Sequence, residues 1–424
     1  MHLPRSVRLT PRGWAMGALG SATLLAGVLF GVRVLSQVGA LLTVAVVGAV
    51  LSLVAEARAQ ERGGLRLVRH VTPHPVTVGE RALVQVDVTS TGGAHRLDRL
   101  QVAERAAREL SGPTALRARV HRTRGRLTLS YPILPDRRGR WAVGPLEVQR
   151  SDLFGIAHWR GPLGPPVLVA VRPQVTRLSI LNRAASTDVD RVALGARTPA
   201  ADDALLRDYR TGDDLRRVHW GSSARRGELM VRQDERSGRR PSSVLLDLPL
   251  DAVSAEWSIS AAASMALALV AAGHHVRLLG GDVLGAGTDH HRPDTDGRAV
   301  DALLDQTVDL TVPSHRTVRD AWLLAAVETL TAQGGGAELV FAVVGALDAD
   351  GLAAMARVGA ASHGWVMVRT GRPGHDDSRT PEERRTLEGL RRAGWAVCAV
   401  TPGEDLAVCW ERLLDSHEHV AVKR

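Results

Sequence analysis

The residues with the clearest capacity for chemistry lie in one charged stretch, from Arg207 to Glu235, that reads RDYRTGDDLRRVHWGSSARRGELMVRQDE. Arginine can clamp a phosphate, and a carboxylate such as Asp213, or Asp247 farther along the chain, could support hydrolysis beside it. The sequence supplies no recognisable nucleophile or base for that reaction. It also contains no glycine-rich phosphate loop, Ser-His-Asp order or zinc-ligand spacing. Hydrolysis is therefore kept as the alternative to a non-enzymatic role.

Local signals predict a turn, a short helix, a loop and a strand within this stretch. Gly212 tolerates a positive φ, and Asp213 can accept hydrogen bonds from the amides of the next turn, which favours a helix start. Arg216 and Trp220 are four residues apart, so the guanidinium can lie on the indole. Ten arginines and six acidic residues lie between 207 and 240. This modest excess favours an ion-pair network that fixes how two domains meet, and a partner-binding or anion-binding surface stays open.

An ordered series of residues through the same stretch resembles the signature of domain-of-unknown-function family fifty-eight. The matching residues are Arg207, Tyr209, Gly212, Asp213, Arg216, Val218, Trp220, Ser223, Ala224, Arg225, Leu229, Val231 and Glu235. Proteins of that family typically occur beside MoxR-type AAA+ ATPases, so the resemblance implies such an ATPase as a partner. It implies no reaction, because none is established for the family. We interpret the signature as a partner-binding or domain-interface surface.

The N-terminal region carries the signals of a membrane anchor. Residues 14–32 and 34–55 are uncharged runs, each long enough to cross a bilayer as a helix. A turn is predicted around Arg33–Gln37, which makes residues 1–58 a transmembrane hairpin. Arginines precede the first run and follow the second, so both ends and all soluble domains are expected in the cytoplasm of a multi-pass cell-membrane protein. A signal peptide is disfavoured because the apolar region is about twice the usual length.

Composition changes divide the rest of the chain into three domains or segments and a linker. Residues 65–180 contain short strands with glycine and proline turns, which are typical of an immunoglobulin-like β-sandwich. Residues 181–206 are polar and alanine-rich and are interpreted as a linker, and residues 207–240 form the Arg-rich segment. Residues 241–424 alternate apolar strands with helices, which predicts a doubly wound α/β sheet. The expected fold class is therefore multidomain.

Three short motifs in the β-rich region extend the resemblance to the same family: Arg137–Arg140, Gly144–Leu146 and Asp152–Gly155. The arginine hairpin at 137–140 could contact lipid phosphates beside a membrane. A solvated turn is the favoured interpretation of these arginines.

The family resemblance implies that residues 241–424 form a domain similar to the von Willebrand factor A type. Such domains often bind a divalent cation through Asp-x-Ser-x-Ser after the first strand, and the equivalent residues here are Asp247-Leu248-Pro249-Leu250-Asp251. Both serines are absent, and Mg²⁺ needs several well-placed oxygen ligands. We expect a degenerate site at Asp247 and Asp251 that binds no cation, with Mg²⁺ binding as the alternative. Asp247 is expected to cap the following turn or to pair with the Arg-rich segment.

The net charge and the two cysteines indicate which partners and which cysteine chemistry to expect. The net charge is +9, but Lys423 is the sole lysine, so the arginines are best explained by a GC-rich genome and no nucleic acid is expected as a partner. Binding of anionic lipid or nucleic acid through the Arg-rich segment remains an alternative, which a steep salt dependence would identify. Cys398 and Cys409 lie in apolar surroundings and are predicted to be buried free thiols. These signals together favour a membrane-anchored, non-enzymatic adaptor.

Truncation of Trp220 tests whether the signature is structural. We expect Trp220→Ala to lower the free energy of unfolding by about 3–5 kcal/mol, because the indole is predicted to pack the short helix down. Chemical denaturation of the full-length protein in detergent measures this change. An unchanged unfolding transition combined with lost partner binding would contradict the structural role and identify a functional surface.

Overall fold

The computed structural model describes residues 6–61, 64–90, 97, 100–111, 117–178, 206–208, 223–224, 227–228, 230–232, 239–282, 289–333, 338–371 and 379–416. Most of the Arg-rich segment, and the predicted linker up to residue 205, lie outside these residues. The chain divides into two compact units, Met1–Arg172 and Pro173–Arg424.

Two helices, α1 (Pro11–Leu29) and α2 (Arg33–Glu61), form an antiparallel hairpin in the first unit. The chain reverses at residues 30–32, where Gly31 adopts a left-handed φ of 65° and the amide of Val32 donates to the carbonyl of Gly27. The turn predicted at Arg33–Gln37 was therefore placed too late. Glycine tolerates the left-handed conformation that reverses the chain, whereas Arg33 already begins α2.

Among the described residues, two helices are long and apolar enough to cross a membrane. One is α2, whose apolar window is only 17% buried, and the other is Ala252–Ala271, whose window is 67% buried within the second unit. The latter is a core helix by this measure. The first predicted span, residues 14–32, corresponds to α1 and is not one of these two candidates, although Trp14 and Leu25 of α1 are more than 60% exposed.

Glycines allow the two helices of the hairpin to pack with their backbones in contact. A Cβ atom on Gly27 would lie 2.3 Å from the backbone nitrogen of Ser36, and one on Gly39 would lie 2.3 Å from that of Leu24. Gly20 faces Leu42 and Thr43 in the same way. Helix pairs in lipid commonly approach closely at small residues such as these glycines.

The rest of the first unit consists of two sheets. Its strands are β1 (Ser6–Leu9), β2 (Leu65–Thr72), β3 (Val76–Thr77), β4 (Ala82–Ser90), β5 (Leu100–Ala106), β6 (Arg119–Thr123), β7 (Arg126–Ile133), β8 (Gly139–Ser151), β9 (Ala157–Leu163) and β10 (Val167–Arg172). One sheet has the order β1-β9-β8-β10-β3, with β5 also paired to β8, and the other has the order β2-β4-β7-β6. Apart from the parallel pair β10 and β3, the described pairings of this unit are antiparallel.

A single hydrophobic cluster joins these two sheets to the hairpin. It contains Val86 and Leu129 from one sheet and Val148 and Trp159 from the other. Leu53 of α2 is also part of it and is only 1% exposed. The strand β1, which the sequence did not predict, pairs with β9 immediately before α1 begins. Both ends of the hairpin are therefore attached to the same β structure.

The second unit contains a parallel sheet and a separate strand pair. Its strands are β11 (Leu206–Asp208), β12 (Met230–Arg232), β13 (Arg239–Leu246), β14 (His274–Gly280), β15 (Leu339–Val344), β16 (His363–Arg369) and β17 (Ala396–Val400). The five-stranded sheet has the order β14-β13-β15-β16-β17, and all of its strands are parallel. β11 and β12 form an antiparallel pair.

Helices cover both faces of the parallel sheet. They are α3 (Ala252–Ala271), α4 (Arg298–Val308), α5 (Arg316–Gln333), α6 (Ala349–Ala361), α7 (Pro381–Arg392) and α8 (Leu406–Asp415). The core on one face includes residues of α3, α4 and α8, and the core on the other includes residues of α5, α6 and α7. The prediction of an α/β domain is confirmed. α4 was not predicted, and Cys398 and Cys409 are buried and free as expected.

The predicted β-rich region ended at residue 180, but the strands of the first unit end at Arg172. The following residues belong to the second unit. The carbonyl of Gln174 accepts from Ser260, the amide of Thr176 donates to Ser264, and Leu178 packs on the apolar core beside α3. These contacts hold the segment against α3, which sequence periodicity could not reveal.

Two glycine substitutions in α2 test the close approach of α1 and α2. We expect Gly39→Val to destabilise the full-length protein by about 1–3 kcal/mol, because its side chain would clash with the backbone of α1. Gly48→Val is the control, since nothing lies within 4 Å of a Cβ atom at that position. Thermal unfolding in detergent measures both, and equal effects of the two substitutions would contradict the glycine contact.

Candidate functional site at the carboxyl edge of the parallel sheet

The ends of three neighbouring strands bring charged and small residues together at one edge of the parallel sheet. Asp247 directly follows β13, Gly345 directly follows β15, and Arg369 is the last residue of β16. Arg319 reaches the same edge from the first turn of α5. β13 lies between β14 and β15 in the sheet. The chain therefore crosses from β13 to one side to form β14, and later forms β15 on the other side of β13. This is the switch point where doubly wound proteins usually bind ligands.

Two arginines and one amide engage the carboxylate of Asp247 completely. Arg319 binds it with two parallel hydrogen bonds, from Nε to Oδ1 and from Nη2 to Oδ2, both of 2.7 Å. Nη2 of Arg369 donates to Oδ2 at 2.9 Å, and the amide of Gly345 donates to the same oxygen at 2.8 Å. Nη1 of Arg369 also contacts the carbonyl of Asp247 and lies 3.1 Å from Oγ of Ser258.

The group is almost completely withdrawn from solvent. The side chain of Asp247 is 0% exposed, that of Arg369 is 6% exposed and that of Arg319 is 11% exposed. Burial alone would raise the pKa of Asp247, but the charge of Arg369 and the bonds from Arg319 and Gly345 outweigh it and lower the pKa. Burial lowers the pKa of Arg369, because the charged guanidinium is removed from water; the charge of Asp247 opposes this effect and that of Arg319 adds to it. The carboxylate therefore stays ionised at neutral pH.

These contacts correct the expected role of Asp247. Its oxygens accept from α5, β16 and the residue after β15, contacts that the sequence analysis did not predict. Most of the Arg-rich segment, with which a pairing was expected, lies outside the described residues. Arg319 and Arg369 were missed by the sequence analysis. A weak signal did exist for Arg369, since a lone arginine ends an otherwise apolar strand.

The residues at this edge do not fit a divalent cation. Asp251 is the N-cap of α3, and its Oδ1 accepts from the amide of Ser254 at 2.8 Å. Asp247 has both oxygens engaged by guanidinium groups, whose positive charge opposes a metal ion. Within the described parts of the chain, no group of three His, Cys, Asp or Glu residues could hold a metal ion.

A second buried polar cluster lies at the amino end of the same strands. Arg277 of β14 donates to Oγ of Ser243 at 2.6 Å and to Oε2 of Glu338 at 2.9 Å. Ser243 and His290 both bond to Oε1 of Glu338. Burial raises the pKa of Glu338, but the bonds from His290 and Ser243 and the charge of Arg277 lower it overall.

This second cluster does not form a nucleophile with its base. The hydroxyl of Ser243 donates to the carboxylate of Glu338 and accepts from Arg277, and Ser243 is fully buried, while His290 bonds to the carboxylate. The segment carrying His290 is attached to the sheet edge, because His291 forms an antiparallel bridge with Val276. The histidine-rich loop thus contributes to a structural network.

Few of the signature residues lie within the described parts of the chain. Arg207 is on β11, opposite Val231 of β12. β12 lies within the strand that the sequence predicts at Glu228–Gln233, and Ser223 is buried. The other predicted site residues lie outside the described residues: Tyr209, Gly212, Asp213, Arg216, Trp220, Arg225 and Glu235.

Comparison with known proteins identifies the central region of the chain. The family model described as "Protein of unknown function DUF58" matches residues 205–377, which confirms the family resemblance. No curated protein matches the chain. Among solved structures, the enterochelin esterase from Shigella flexneri aligns over 86% of this chain and 98% of its own, with 13% identity and a TM-score of 0.18. A likeness this low supports no conclusion about fold or activity.

The buried carboxylate provides a sharp test of this site. We expect Asp247→Asn to lower the free energy of unfolding by about 3–5 kcal/mol, because two buried arginines lose their counter-charge. Asp251→Asn is the control and should change stability little, since asparagine also caps helices well. Urea unfolding of the full-length protein in detergent compares them.

The pH dependence follows from the lowered pKa of Asp247. Its contribution to stability is present above the pKa of an unfolded aspartate and is lost as the pH falls through the folded value. The difference between wild type and Asp247→Asn should therefore shrink in acid. A difference that is small at neutral pH would contradict the role of the ion group.

Proposed function

We propose that this chain, whose residues 205–377 belong to the DUF58 family, is a membrane-anchored, non-enzymatic adaptor that works with a MoxR-type AAA+ ATPase in assembly or chaperone activity. The observation that carries the non-enzymatic part is the closed ion group at Asp247. Asp247, the acid that directly follows the first strand of the sheet, is bonded to Arg319, Arg369 and Gly345, and its side chain is fully withdrawn from solvent.

The helical hairpin supports membrane anchoring. α2 is long and apolar enough to span a bilayer, and α1 packs along it through glycine contacts. Arginines flank both outer ends of the hairpin, which favours a cytoplasmic location for the soluble parts. In this proposal the protein is a multi-pass protein of the cell membrane, and α1 crosses the bilayer as well as α2.

The sheets support a finer description of the fold. The two mostly antiparallel sheets of the first unit share one core, as expected for an immunoglobulin-like sandwich. In the second unit, the antiparallel bridge of His291 to Val276 adds an edge position beside β14. Counted with this edge, the strand order is 3-2-1-4-5-6, the doubly wound order we propose for a von Willebrand factor A-like domain.

Two alternatives retain specific features in their favour. A hydrolase would have to use Asp213, which lies outside the described residues, because Asp247 is closed. An anionic lipid or nucleic-acid binder would use the excess of arginine between 207 and 240. The adaptor accounts for both the anchor and the closed ion group at Asp247.

Co-purification with a MoxR-type ATPase tests the proposal. The full-length protein is purified from membranes of cells that also contain the ATPase, with and without ATP. We expect nucleotide-dependent recovery of the ATPase, and we expect Arg216→Ala to reduce it at least several-fold. Arg210→Ala is the matched control, because it removes the same charge from the same segment at a position outside the signature.

The folding of each variant is checked by its unfolding transition, so that a lost interaction is separated from lost structure. Failure of folded wild-type protein to recover the ATPase in either nucleotide state would refute the partner. Substrate turnover by the purified protein that disappears with one acidic substitution would refute the non-enzymatic role.

A further inference from the structure

Two large apolar side chains project from a tightly held turn in the first unit. The turn Asp152–Gly155 joins β8 to β9, and Leu153 and Phe154 within it are each 72% exposed. The carboxylate of Asp152 accepts from the amides of Phe154 at 2.9 Å and Ala157 at 2.7 Å. Gly155 adopts a left-handed φ of 67° that closes the turn. The backbone of the turn is thus well fixed while its apolar side chains face outward.

The same turn is tied to the first residues of α1. Oγ1 of Thr10 donates to the carbonyl of Gly155 at 2.6 Å, and the amide of Thr10 donates to the carbonyl of Ile156 at 2.8 Å. A Cβ atom on Gly13 would lie 2.0 Å from that carbonyl oxygen, so the helix backbone rests directly on the turn. Leu153 and Phe154 therefore lie in a turn that contacts the first turn of α1, and the exposed Trp14 belongs to that same helical turn.

The length of the hairpin places the first turn of α1 at the surface of a bilayer. From Trp14 to Phe30 the chain contains 17 residues without charge, which span about 25 Å as a helix. This nearly matches the hydrocarbon thickness of about 30 Å. α2 leaves the lipid-facing part of the hairpin near Leu53, which is buried in the core of the β structure. The turn thus lies where the hairpin passes from lipid to the polar interface.

We propose that Leu153 and Phe154 form an interfacial anchor that inserts into the lipid bilayer and seats the β structure of the first unit against the membrane. This inference rests on the proposed membrane anchoring by the hairpin. Apolar and aromatic side chains are favoured at the boundary between headgroups and acyl chains. Arg12 is exposed in the same helical turn and is suited to contact headgroup phosphates.

The opposite end of β8 provides an internal reference. Gly139 begins this strand and Ser151 ends it, so the two ends are separated by up to about 40 Å. Arg137 is exposed in the turn that precedes β8. The arginine hairpin at 137–140 thus lies at the end of β8 opposite to the turn Asp152–Gly155. Arg138 within it is buried, so the interpretation of these arginines as a solvated turn is wrong for that residue.

The proposal is tested with the full-length protein in nanodiscs of phosphatidylcholine and phosphatidylglycerol. A polarity-sensitive fluorophore is attached to Phe154→Cys, to Trp14→Cys as the reference within the hairpin, and to Arg137→Cys as the matched exposed control. Unsubstituted protein measures labelling of Cys398 and Cys409, which are both buried. The quencher is a nitroxide lipid labelled near the headgroup. We expect quenching at Phe154→Cys to equal that at Trp14→Cys within about twofold, and to exceed that at Arg137→Cys several-fold.

Each other outcome overturns the proposal in an identifiable way. Quenching at Trp14→Cys without quenching at Phe154→Cys would refute the interfacial anchor and leave the hairpin anchor intact. Quenching at neither position would refute the hairpin anchor and the present inference together. A probe at Phe154→Cys that is shielded from aqueous iodide but not reached by the nitroxide lipid would show that a protein surface covers the turn.

Discussion

Neutralisation of one buried carboxylate organises the carboxyl edge of the parallel sheet. Asp247 follows β13 at a fully buried position, where an ion without partners would cost several kcal/mol. Arg319 brings α5 to this point, Arg369 brings the end of β16, and the amide of Gly345 brings the end of β15. Four elements thus converge on the two oxygens of one side chain. The switch point of the sheet, which commonly receives a ligand, is closed here by the protein's own groups.

Buried polar side chains at the amino end of the sheet are likewise bonded to one another. Arg277 and Glu338 form a pair with side chains that are 0% and 4% exposed, and Ser243 and His290 complete its hydrogen bonds. Side chains of types that serve in catalysis in other proteins therefore have structural partners here. In the described parts of the second unit, both buried clusters are therefore held together by the protein's own polar groups.

A different constraint shapes the first unit. The backbone contacts of α1 and α2 require glycine at Gly27 and Gly39, and β1 and β2 connect the two outer ends of the hairpin to the sheets. Leu53 continues the hydrophobic core of the sheets into α2. The hairpin and the β structure are consequently parts of one packed unit. Any lipid that surrounds the hairpin would meet the turn at Leu153 and Phe154 at a defined depth.

Local patterns were sufficient for much of the architecture. Uncharged runs predicted the helical hairpin, apolar runs predicted the parallel strands, and the spacing from Arg207 to Glu235 identified the family, because each of these signals is carried by residues near one another in the chain. The same local reasoning misplaced the turn at Gly31 by a few residues and missed β1 and α4. Strands as short as β1 gain their stability from pairing with distant β9, which no local pattern records.

The partners of Asp247 show the limit most clearly. The sequence by itself determined that an acid follows the first strand of an α/β sheet and that the serines of a cation site are absent. It could not assign Arg319 and Arg369 as partners of this acid, because they lie 72 and 122 residues away in the chain. Only the tertiary structure decided this, because parallel strands bring their carboxyl ends together and burial then selects the partners that neutralise the charge.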